Sequence, residues 1–354
     1  MQHTKILIIG QGISGTMLSW YLTQANIAHL VIDDNATNTA SKVAAGIINP
    51  VTGRRIVATW LIDTIMPHAV QAYTQLEAQL GTTLIQQKNI LETFVTAQMQ
   101  QAFAERKNNT DNKYLQNYDD VKNNLPLYHN IYGYGTIAPS YVVNVALACS
   151  LWQAHLQRNN QLITEKFKVT NLQLNPTSVV YGNITAQRII FANGYAASEL
   201  PWFANLPFAP NKGEALLIHA PSLPNTYIYK RGLTIAPLSN HNFWVGANYL
   251  WKYEHELPTK EFYTNTNIAL QSWLNIPYTV TKHIAAIRPA TLERRPFVGF
   301  HPLHSTIGII AGMGAKGTSL APYFAQQLVQ HIIKGTVIHP EANINRFSKV
   351  LLRN

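Results

Sequence analysis

The sequence predicts an α/β fold in which a second domain interrupts the first, and three observations support this prediction. Its 354 residues exceed the usual size of a single domain. The first 34 residues contain, in order, an apolar strand, a glycine-rich turn, a helix and a second strand, which together form a β-α-β unit. The chain closes on another strand, glycine-rich turn and helix, whereas the stretch between these ends is richer in short strands.

The first glycine-rich turn follows the apolar strand Ile6 to Ile9 and opens a helix. We expect Gly10 to form the tight turn, Gly12 to let the backbone approach a pyrophosphate, and Gly15 to let the helix pack on the strand. The pyrophosphate would face the unpaired N–H groups at the start of the helix. This arrangement predicts a Rossmann-like dinucleotide-binding domain, with these binding residues: Gly10, Gly12, Ile13, Ser14 and Gly15.

Two acidic residues, Asp33 and Asp34, end the second strand of this unit. They follow the glycine-rich turn by about 20 residues, the spacing at which a carboxylate accepts hydrogen bonds from ribose hydroxyls. Because a 2′-phosphate would meet this carboxylate, the sequence disfavours NADP as the tightly held nucleotide. The fingerprint alone leaves FAD and NAD open.

The next elements are predicted from apolar spacing and from turn residues. A long amphipathic helix is expected over 58–80, ended by Gly81, and residues 82–135 are expected to form an inserted region. Later elements are a helix over 141–156, a strand over 169–174, a strand ending at 193–194, a β-rich stretch over 200–284 with a helix over 260–274, a strand over 306–311 and a helix over 318–334.

These elements divide the chain into a discontinuous nucleotide-binding domain and a second α+β domain. We assign 1–81, 136–200 and 285–354 to the first domain, and 82–135 and 201–284 to the second. The second domain is expected to contain a mostly antiparallel sheet.

Composition excludes several classes of protein. With 47% apolar and 12% charged residues, the chain is neither disordered nor fibrous. No stretch approaches the roughly 18 uninterrupted apolar residues of a membrane-spanning helix, and we expect a cytoplasmic protein. A single cysteine, Cys149, excludes an internal disulfide and a cysteine-based metal cluster. The thirteen histidines show no metal-ligand spacing, so no metal is expected.

The net charge of +10 arises from 27 Lys and Arg against 17 Asp and Glu. Such a charge serves solubility or favours an anionic partner, either a small molecule or a nucleic acid. The basic residues occur as scattered pairs, such as Arg54-Arg55 and Arg294-Arg295, and not as a basic tail. We therefore expect an anionic small-molecule substrate, with nucleic acid as a second choice.

Four separated motifs resemble the successive signatures of the D-amino acid oxidase and glycine oxidase family of FAD-dependent oxidoreductases. They are Ser41 to Pro50, Ala192-Asn193-Gly194, Ile287-Arg288-Pro289 with Pro296 to Gly299, and Gly312 to Gly317 with Leu320-Ala321-Pro322. The resemblance runs from residue 1 to about 335. It implies a discontinuous FAD-binding domain and a β-rich domain that places the substrate over the flavin. It also implies noncovalent FAD, because Cys149 is remote from the Arg288-Pro289-Ala290 segment, where relatives with covalent flavin carry a cysteine.

The resemblance implies further cofactor-binding residues. Small side chains in the first motif would let the backbone pass alongside the isoalloxazine, and N–H groups at the start of the last helix would face the flavin edge that becomes negative on reduction. The implied residues are Ser41, Ala44, Ala45, Gly46, Val169, Ala192, Asn193, Gly194, Gly312, Gly314, Ala315, Lys316, Gly317 and Thr318.

Three residues are candidates for catalysis: Arg288, Tyr229 and Lys316. The guanidinium of Arg288 suits a substrate carboxylate, unless it pairs with Glu293 instead. Tyr229, with Tyr227 and Lys230, resembles the family's strand whose aromatic hydroxyls line the pocket, and Lys316 would add positive charge near the flavin. Further pocket candidates on the following strand or just after it are Trp244, Asn248 and Tyr249. No catalytic base is expected, since hydride transfer from a neutral amine needs none where the site favours the deprotonated amine.

The resulting prediction is an FAD-dependent oxidoreductase that oxidises a C–N bond of an amine or amino acid by hydride transfer to flavin N5. Four arginines, at 54, 55, 294 and 295, suggest a substrate more anionic than a small zwitterion, such as a dicarboxylate, a phosphorylated amine or an RNA end. Two alternatives use the same fold: an oxidoreductase of tRNA wobble-uridine modification, and an FAD-dependent 2-hydroxy-acid dehydrogenase with His241 or His283 as its base. A noncatalytic flavin-binding protein is a further alternative, and oligomeric state stays open.

Overall fold

A computed structural model describes residues 2–53, 56–108, 113–117 and 132–353. Within these residues the strands are β1 (Gln2–Ile9), β2 (His29–Asp33), β3 (Ile47–Ile48), β4 (Val51–Thr52), β5 (Val57–Ala58), β6 (Ile85–Gln87), β7 (Ile90–Phe94), β8 (Leu115–Asn117), β9 (Gly133–Ile137), β10 (Tyr141–Val143), β11 (Leu162–Thr164), β12 (Leu172–Leu174), β13 (Val179–Tyr181), β14 (Ile184–Phe191), β15 (Asn211–His219), β16 (Ile228–Arg231), β17 (Leu233–Pro237), β18 (Asn242–Gly246), β19 (Thr279–Arg288), β20 (Phe297–Phe300) and β21 (Ile307–Ala311). The helices are α1 (Ile13–Gln24), α2 (Ala40–Val43), α3 (Ile62–Leu80), α4 (Ala97–Lys107), α5 (Val145–Arg158), α6 (Lys260–Trp273), α7 (Gly317–Lys334) and α8 (Ser348–Leu351). Most strands belong to two large sheets, which confirms the predicted α/β fold class.

The first large sheet is mainly parallel. Its parallel strands lie in the order β11, β2, β1, β14 and β21. The hairpin β12–β13 runs beside the first half of β14, and β20 pairs antiparallel with β21. The chain passes from β1 to β2 on one side of β1, and β14 lies on the other side. A topological switch point therefore lies at the carboxyl ends of β1 and β14, where open parallel sheets bind ligands.

Apolar side chains of this sheet alternate between its two faces. Ile6 and Ile8 pack in a core with helices α1, α3, α5 and α7. Leu7 and Ile9 point to the opposite face, where they join a second core around Phe203. Burial on both faces accounts for the uninterrupted apolar run of this strand. The packing also fixes where α1 and α7 begin, at the carboxyl edge of the sheet.

The second large sheet has the strand order β19, β15, β18, β17, β16, β7, β9 and β8. Its neighbouring strands are antiparallel except for β16 and β7. One face packs against α6 through Leu216, Val245 and Trp273. Residues of the alternate parity, including Gly213 and Trp244, face a cavity shared with the first sheet. This is the mostly antiparallel second sheet that the sequence predicts.

Two strands of the second sheet cross the domain limits expected from the sequence. β9 runs across the limit at 135/136, and β19 runs across the limit at 284/285 as far as Arg288. Sheet membership moves these two limits to 137 and 288. We propose 137 and 288 as the domain boundaries, because β9 and β19 then lie entirely in the domain that contains the second sheet. Arg288 belongs to that domain as well.

Three predicted elements differ from those observed. The helix expected over 58–80 begins at Ile62, since 57–58 form strand β5. The helix expected over 141–156 is a strand, β10, followed by α5, because the side chain of Asn144 accepts a hydrogen bond from the Leu147 N–H (3.1 Å) and starts the helix there. The strand expected over 169–174 begins as a 3₁₀ turn, Val169–Asn171, and only Leu172–Leu174 is extended.

Candidate cofactor and substrate site

A cavity of about 970 Å³ lies at the carboxyl ends of the parallel strands, between the two large sheets. It brings together segments that are far apart in the chain. The predicted residues that line it are Gly10, Gly12, Ile13, Ser14, Asp33, Asp34, Ser41, Ala44, Ala45, Gly46, Val169, Ala192, Asn193, Gly194, Arg288, Gly312, Gly314, Ala315, Gly317 and Thr318. The predicted residues Gly15, Tyr229 and Lys316 are not among those that line it.

The first glycine-rich turn has the geometry that each glycine requires. Gly10 has a φ of +98°, which a larger residue rarely adopts. A Cβ at Gly12 would lie 3.0 Å from Ser41 Oγ, and one at Gly15 would lie 1.9 Å from the carbonyl oxygen of Gly10. Gly15 therefore lies behind the turn and lets α1 approach β1. Helix α1 has no acidic residue in its first turn, so its positive end is left for an anion.

Asp33 is held in place by backbone N–H groups. Its Oδ2 accepts from the Gln11 N–H (2.7 Å), and its Oδ1 accepts from the Asn35 N–H (2.8 Å). The side chain of Gln11 is buried and donates to Thr16 and to the Cys149 carbonyl oxygen. Gln11 thus connects the turn to α5, a role that its position between two glycines did not reveal.

The segment 41–46 begins in α2, continues as a loop, and links the start of α1 to the second large sheet. Ser41 Oγ accepts from the Ile13 N–H (2.9 Å), which fixes the loop against the start of α1. The indole of Trp244, on the second sheet, donates to the Val43 carbonyl oxygen (2.9 Å). Gly46 has a φ of +70°, and a Cβ there would lie 1.7 Å from the Val143 carbonyl oxygen. This loop therefore tolerates little displacement on either side.

Arg288 ends β19 and is partly buried in the wall of the cavity. Its Nη1 donates to Asn211 Oδ1 (2.9 Å) and to the Lys212 carbonyl oxygen (3.4 Å). Burial lowers the pKa of Arg288, and the nearby Tyr249 opposes this shift. Within the described ranges no carboxylate pairs with Arg288. Glu293 instead accepts from Arg346 Nε (3.3 Å). The expected alternative, an Arg288–Glu293 pair, is therefore wrong.

Tyr229 does not reach the cavity. Its side chain is fully buried in the core on the α6 face, and its hydroxyl donates to the Pro224 carbonyl oxygen (2.6 Å). It pairs across the sheet with Ile235, which faces the same core, whereas Thr234 faces the cavity. Successive side chains of a strand point to opposite faces of the sheet, so Tyr229 lies on the face of Ile235 and not on the face of Thr234. The catalytic role predicted for Tyr229 is therefore corrected to a structural one.

Lys316 ends the 3₁₀ turn Gly314–Lys316 before α7 and is half-buried. Burial, followed by the charges of Arg295 and Arg294, lowers the pKa of Lys316. Because its side chain does not line the cavity, the structure does not support the predicted role of its ammonium near a flavin. Arg295 forms an ion pair with Glu341, in which Nε lies 2.7 Å from Oε2. The other two arginines of the sequence analysis, Arg54 and Arg55, lie outside the described residues.

Some residues that line the cavity were not predicted. The Tyr195 hydroxyl donates to Glu256 Oε1 (2.5 Å) and thereby joins the segment after β14 to the loop after β18. Burial and then this hydrogen bond raise the pKa of Tyr195. The ring of Tyr249, a pocket candidate from the sequence, belongs to the same loop and lies 4.3 Å from the Arg288 guanidinium. The Tyr195–Glu256 contact joins segments with no shared motif, so the sequence carried no signal for it.

The described residues contain no group of three His, Cys, Asp or Glu side chains arranged to hold a metal ion. His241 and His283 do not line the cavity, and His283 instead lies 3.1 Å from Glu214. Neither histidine is therefore placed to serve as a base there. None of the helices in the described part of the chain is both long and apolar enough to cross a membrane.

Comparison with known proteins agrees with this geometry. Residues 5–331 match the family model described as FAD dependent oxidoreductase. The structure is similar to that of iminodiacetate oxidase from Chelativorans sp. BNC1, with 18% identity, 97% of this chain and 98% of that chain covered, and a TM-score of 0.75. Glycine oxidase from Bacillus cereus is 17% identical, with 99% of each chain covered and a TM-score of 0.80.

A third similar structure is L-α-glycerophosphate oxidase from Mycoplasma pneumoniae, described with FAD bound. It is 15% identical, with 97% of this chain and 99% of that chain covered and a TM-score of 0.71. At these identities the similarity concerns the fold, whereas the match to the family model extends over nearly the whole chain.

Proposed function

Because the chain belongs to the D-amino acid oxidase family of FAD-dependent oxidoreductases, we propose that it oxidises the C–N bond of an amine that carries one carboxylate. The observation behind the substrate class is Arg288, a cation in the cavity wall that no carboxylate of the described chain neutralises. Removing a cation from water is costly unless a partner compensates. A substrate carboxylate supplies that partner.

The residues of the cavity suit FAD. Gly10 lets the glycine-rich turn pack against 192–193, Gly15 lets α1 pack against the turn, and α1 offers its positive end to a pyrophosphate. Asp33, fixed by two N–H groups, is placed for ribose hydroxyls. Residues 312–318 would support the flavin from the start of α7, which has no acidic residue in its first turn. When bound, FAD supplies the acceptor for a hydride.

The chain's own residues would bind and orient the substrate. Arg288 would fix the carboxylate through the guanidinium edge that its protein contacts leave open. Trp244 and Tyr249 supply apolar surface in the same region and would exclude water. A low-polarity site next to a cation also favours the uncharged amine, which is the form that gives up a hydride. Positioning therefore carries the reaction, and no base from the protein is required.

One carboxylate suffices for this site. Among the described residues that line the cavity, Arg288 and Lys166 are the basic ones, and Lys166 lies beside Glu165 and Phe167, near the end of β11. Arg294 and Arg295 lie outside the cavity wall. We therefore propose a substrate with a single carboxylate, which replaces the more anionic substrate expected from the sequence.

The test is anaerobic mixing of purified yellow protein with a panel of glycine, N-methylglycine, D- and L-amino acids and 2-hydroxy acids. We expect loss of the oxidised flavin absorbance with at least one amino acid and none with its decarboxylated counterpart, the matched control. A 2-hydroxy acid that reduces the flavin while every amine fails would contradict the amine proposal. Protein that takes up no flavin would contradict the cofactor.

The flavin is expected to leave the protein on denaturation. Cys149 is buried in α5 and does not line the cavity. Burial raises the pKa of its thiol to about 11, so the reactive thiolate is scarce at neutral pH. Acid precipitation should therefore release all of the flavin into the supernatant, measured by absorbance. In the native protein the thiol should resist a thiol reagent that modifies it after unfolding. Flavin that stays with the precipitate would contradict noncovalent binding.

A further inference from the structure

We propose that Asn211 is a positioning residue that orients the guanidinium of Arg288 without cancelling its charge. This inference rests on the proposed function, because it assigns to Asn211 the availability of Arg288 for a substrate carboxylate. Asn211 begins β15 and lies directly opposite Arg288 across the antiparallel pair β15–β19. Its side chain is 2% exposed, so water does not compete for its oxygen.

The hydrogen bonds of the pair fix one side of the guanidinium. Asn211 Oδ1 accepts from Arg288 Nη1 at 2.9 Å, and the Lys212 carbonyl oxygen accepts from the same nitrogen at 3.4 Å. Nε and Nη2 of Arg288 have no hydrogen-bond partner within the described part of the chain. The protein thus anchors Nη1 and leaves the other donors available.

Two further groups lie against the guanidinium. One is Gly213, where a Cβ would come within 2.0 Å of Arg288 Nη2. The other is the ring of Tyr249, whose centroid lies 4.3 Å from the guanidinium carbon. Contacts with Asn211, Gly213 and Tyr249 therefore hold the guanidinium in place. Arg288 lines the cavity, and Nε and Nη2 are the donors that a carboxylate can take bidentately.

The chemical identity of Asn211 matters because its oxygen accepts a hydrogen bond but carries no net charge. A carboxylate at the same place would form an ion pair with Arg288 and compete with the substrate. Within the described ranges no carboxylate lies within ion-pair distance of Arg288. We infer that an amide here keeps the guanidinium both oriented and unneutralised, so Asn211 governs affinity for the carboxylate more than the rate at saturation.

The test compares Asn211→Asp with Asn211→Ala, and uses Asn242→Asp as a charge control at the far end of the same sheet. Carboxylate binding is measured by titrating the holoenzyme with acetate and propionate and following the perturbation of the flavin absorbance. KM and kcat are measured with the amino acid that reduces the flavin. We expect Asn211→Asp to raise Kd and KM by about 100-fold, the scale of a lost close charge pair, with kcat within about threefold.

The order of the two variants separates positioning from a merely structural role. Asp has nearly the shape of Asn, so a structural role would make Asn211→Asp the milder change. The proposal expects the reverse, with Asn211→Ala raising KM by about tenfold because the guanidinium loses its anchor but keeps its charge. Asn242→Asp should leave Kd, KM and kcat unchanged.

Several results would overturn the inference. An Asn211→Asp variant that binds acetate as tightly as wild type does, or one milder than Asn211→Ala, contradicts it and leaves the proposed function standing. If the Asp variant does not fold, the Asn211→Ala variant decides. An unchanged KM, or a fall in kcat as large as the rise in KM, contradicts the inference. If the wild-type flavin is perturbed by no carboxylate and reduced by no amino acid, the proposed function itself fails.

Discussion

Replacing Arg288 by methionine should lower kcat/KM for the carboxylate-bearing amine by about 1,000-fold, because removal of one partner of a buried charged contact costs about 4 kcal/mol. Methionine keeps much of the apolar stem but provides no donor. FAD content should not change, since Arg288 contacts the second sheet through Asn211 and Lys212. The measurement is steady-state kinetics together with the flavin-to-protein absorbance ratio.

Two controls make the Arg288 result specific. Arg288→Lys keeps the charge but loses the planar fork, so its loss in kcat/KM should be intermediate. Arg295→Met removes an arginine that is already paired with Glu341 and lies outside the cavity wall, so kcat/KM should stay near the wild-type value. If Arg288→Met lowers the rate with a decarboxylated amine as strongly as with the amino acid, Arg288 does not act through a carboxylate.

The second large effect is expected for Gly15→Ala, which should lower FAD affinity by about 100-fold. A helical Gly→Ala change ordinarily stabilises a protein by about 1 kcal/mol. Here the new Cβ would lie 1.9 Å from the Gly10 carbonyl oxygen, so α1 must move away from the turn. Such overpacking costs about 3 kcal/mol, and it displaces atoms of the turn that would bind the pyrophosphate. FAD affinity is measured by titrating the apoprotein and following flavin fluorescence.

The matched control for Gly15 is Gly182→Ala, in the hairpin between β13 and β14. Gly182 has a φ of +55°, but no atom lies within 4 Å of the position that a Cβ would take there. This variant should lose about 1 kcal/mol of stability from backbone strain and keep wild-type FAD affinity. Equal FAD affinity in Gly15→Ala and wild type would show that the turn does not depend on the close approach of α1.

Sequence patterns identify those parts of the site that depend on local geometry. The glycine-rich turns, Asp33 and the start of α7 are each recognisable within a few neighbouring residues, because the backbone itself imposes the residue type. The family motifs add the loop at 41–46 and Arg288. All of these segments line the one cavity described above.

The unpredicted features depend on pairings between distant parts of the chain. The sequence places Tyr229 on the wrong face because the parity of β16 follows from its pairing with β17, which a single strand does not reveal. Asn211 binds Arg288 across the strand pair β15–β19, and it lies in a segment without a motif. The arginines at 294 and 295 are close to the site in sequence, whereas folding directs their side chains away from it.

The hydrogen bond from the Trp244 indole to the Val43 carbonyl oxygen has a consequence for the site as a whole. It ties the loop beside the expected flavin position to the sheet that carries Arg288. Neither partner ionises, so acidity and ionic strength, which weaken the exposed Lys113–Asp63 pair, leave this tie intact. The distance between the electron-accepting and the substrate-holding halves of the enzyme should therefore stay constant wherever the fold survives.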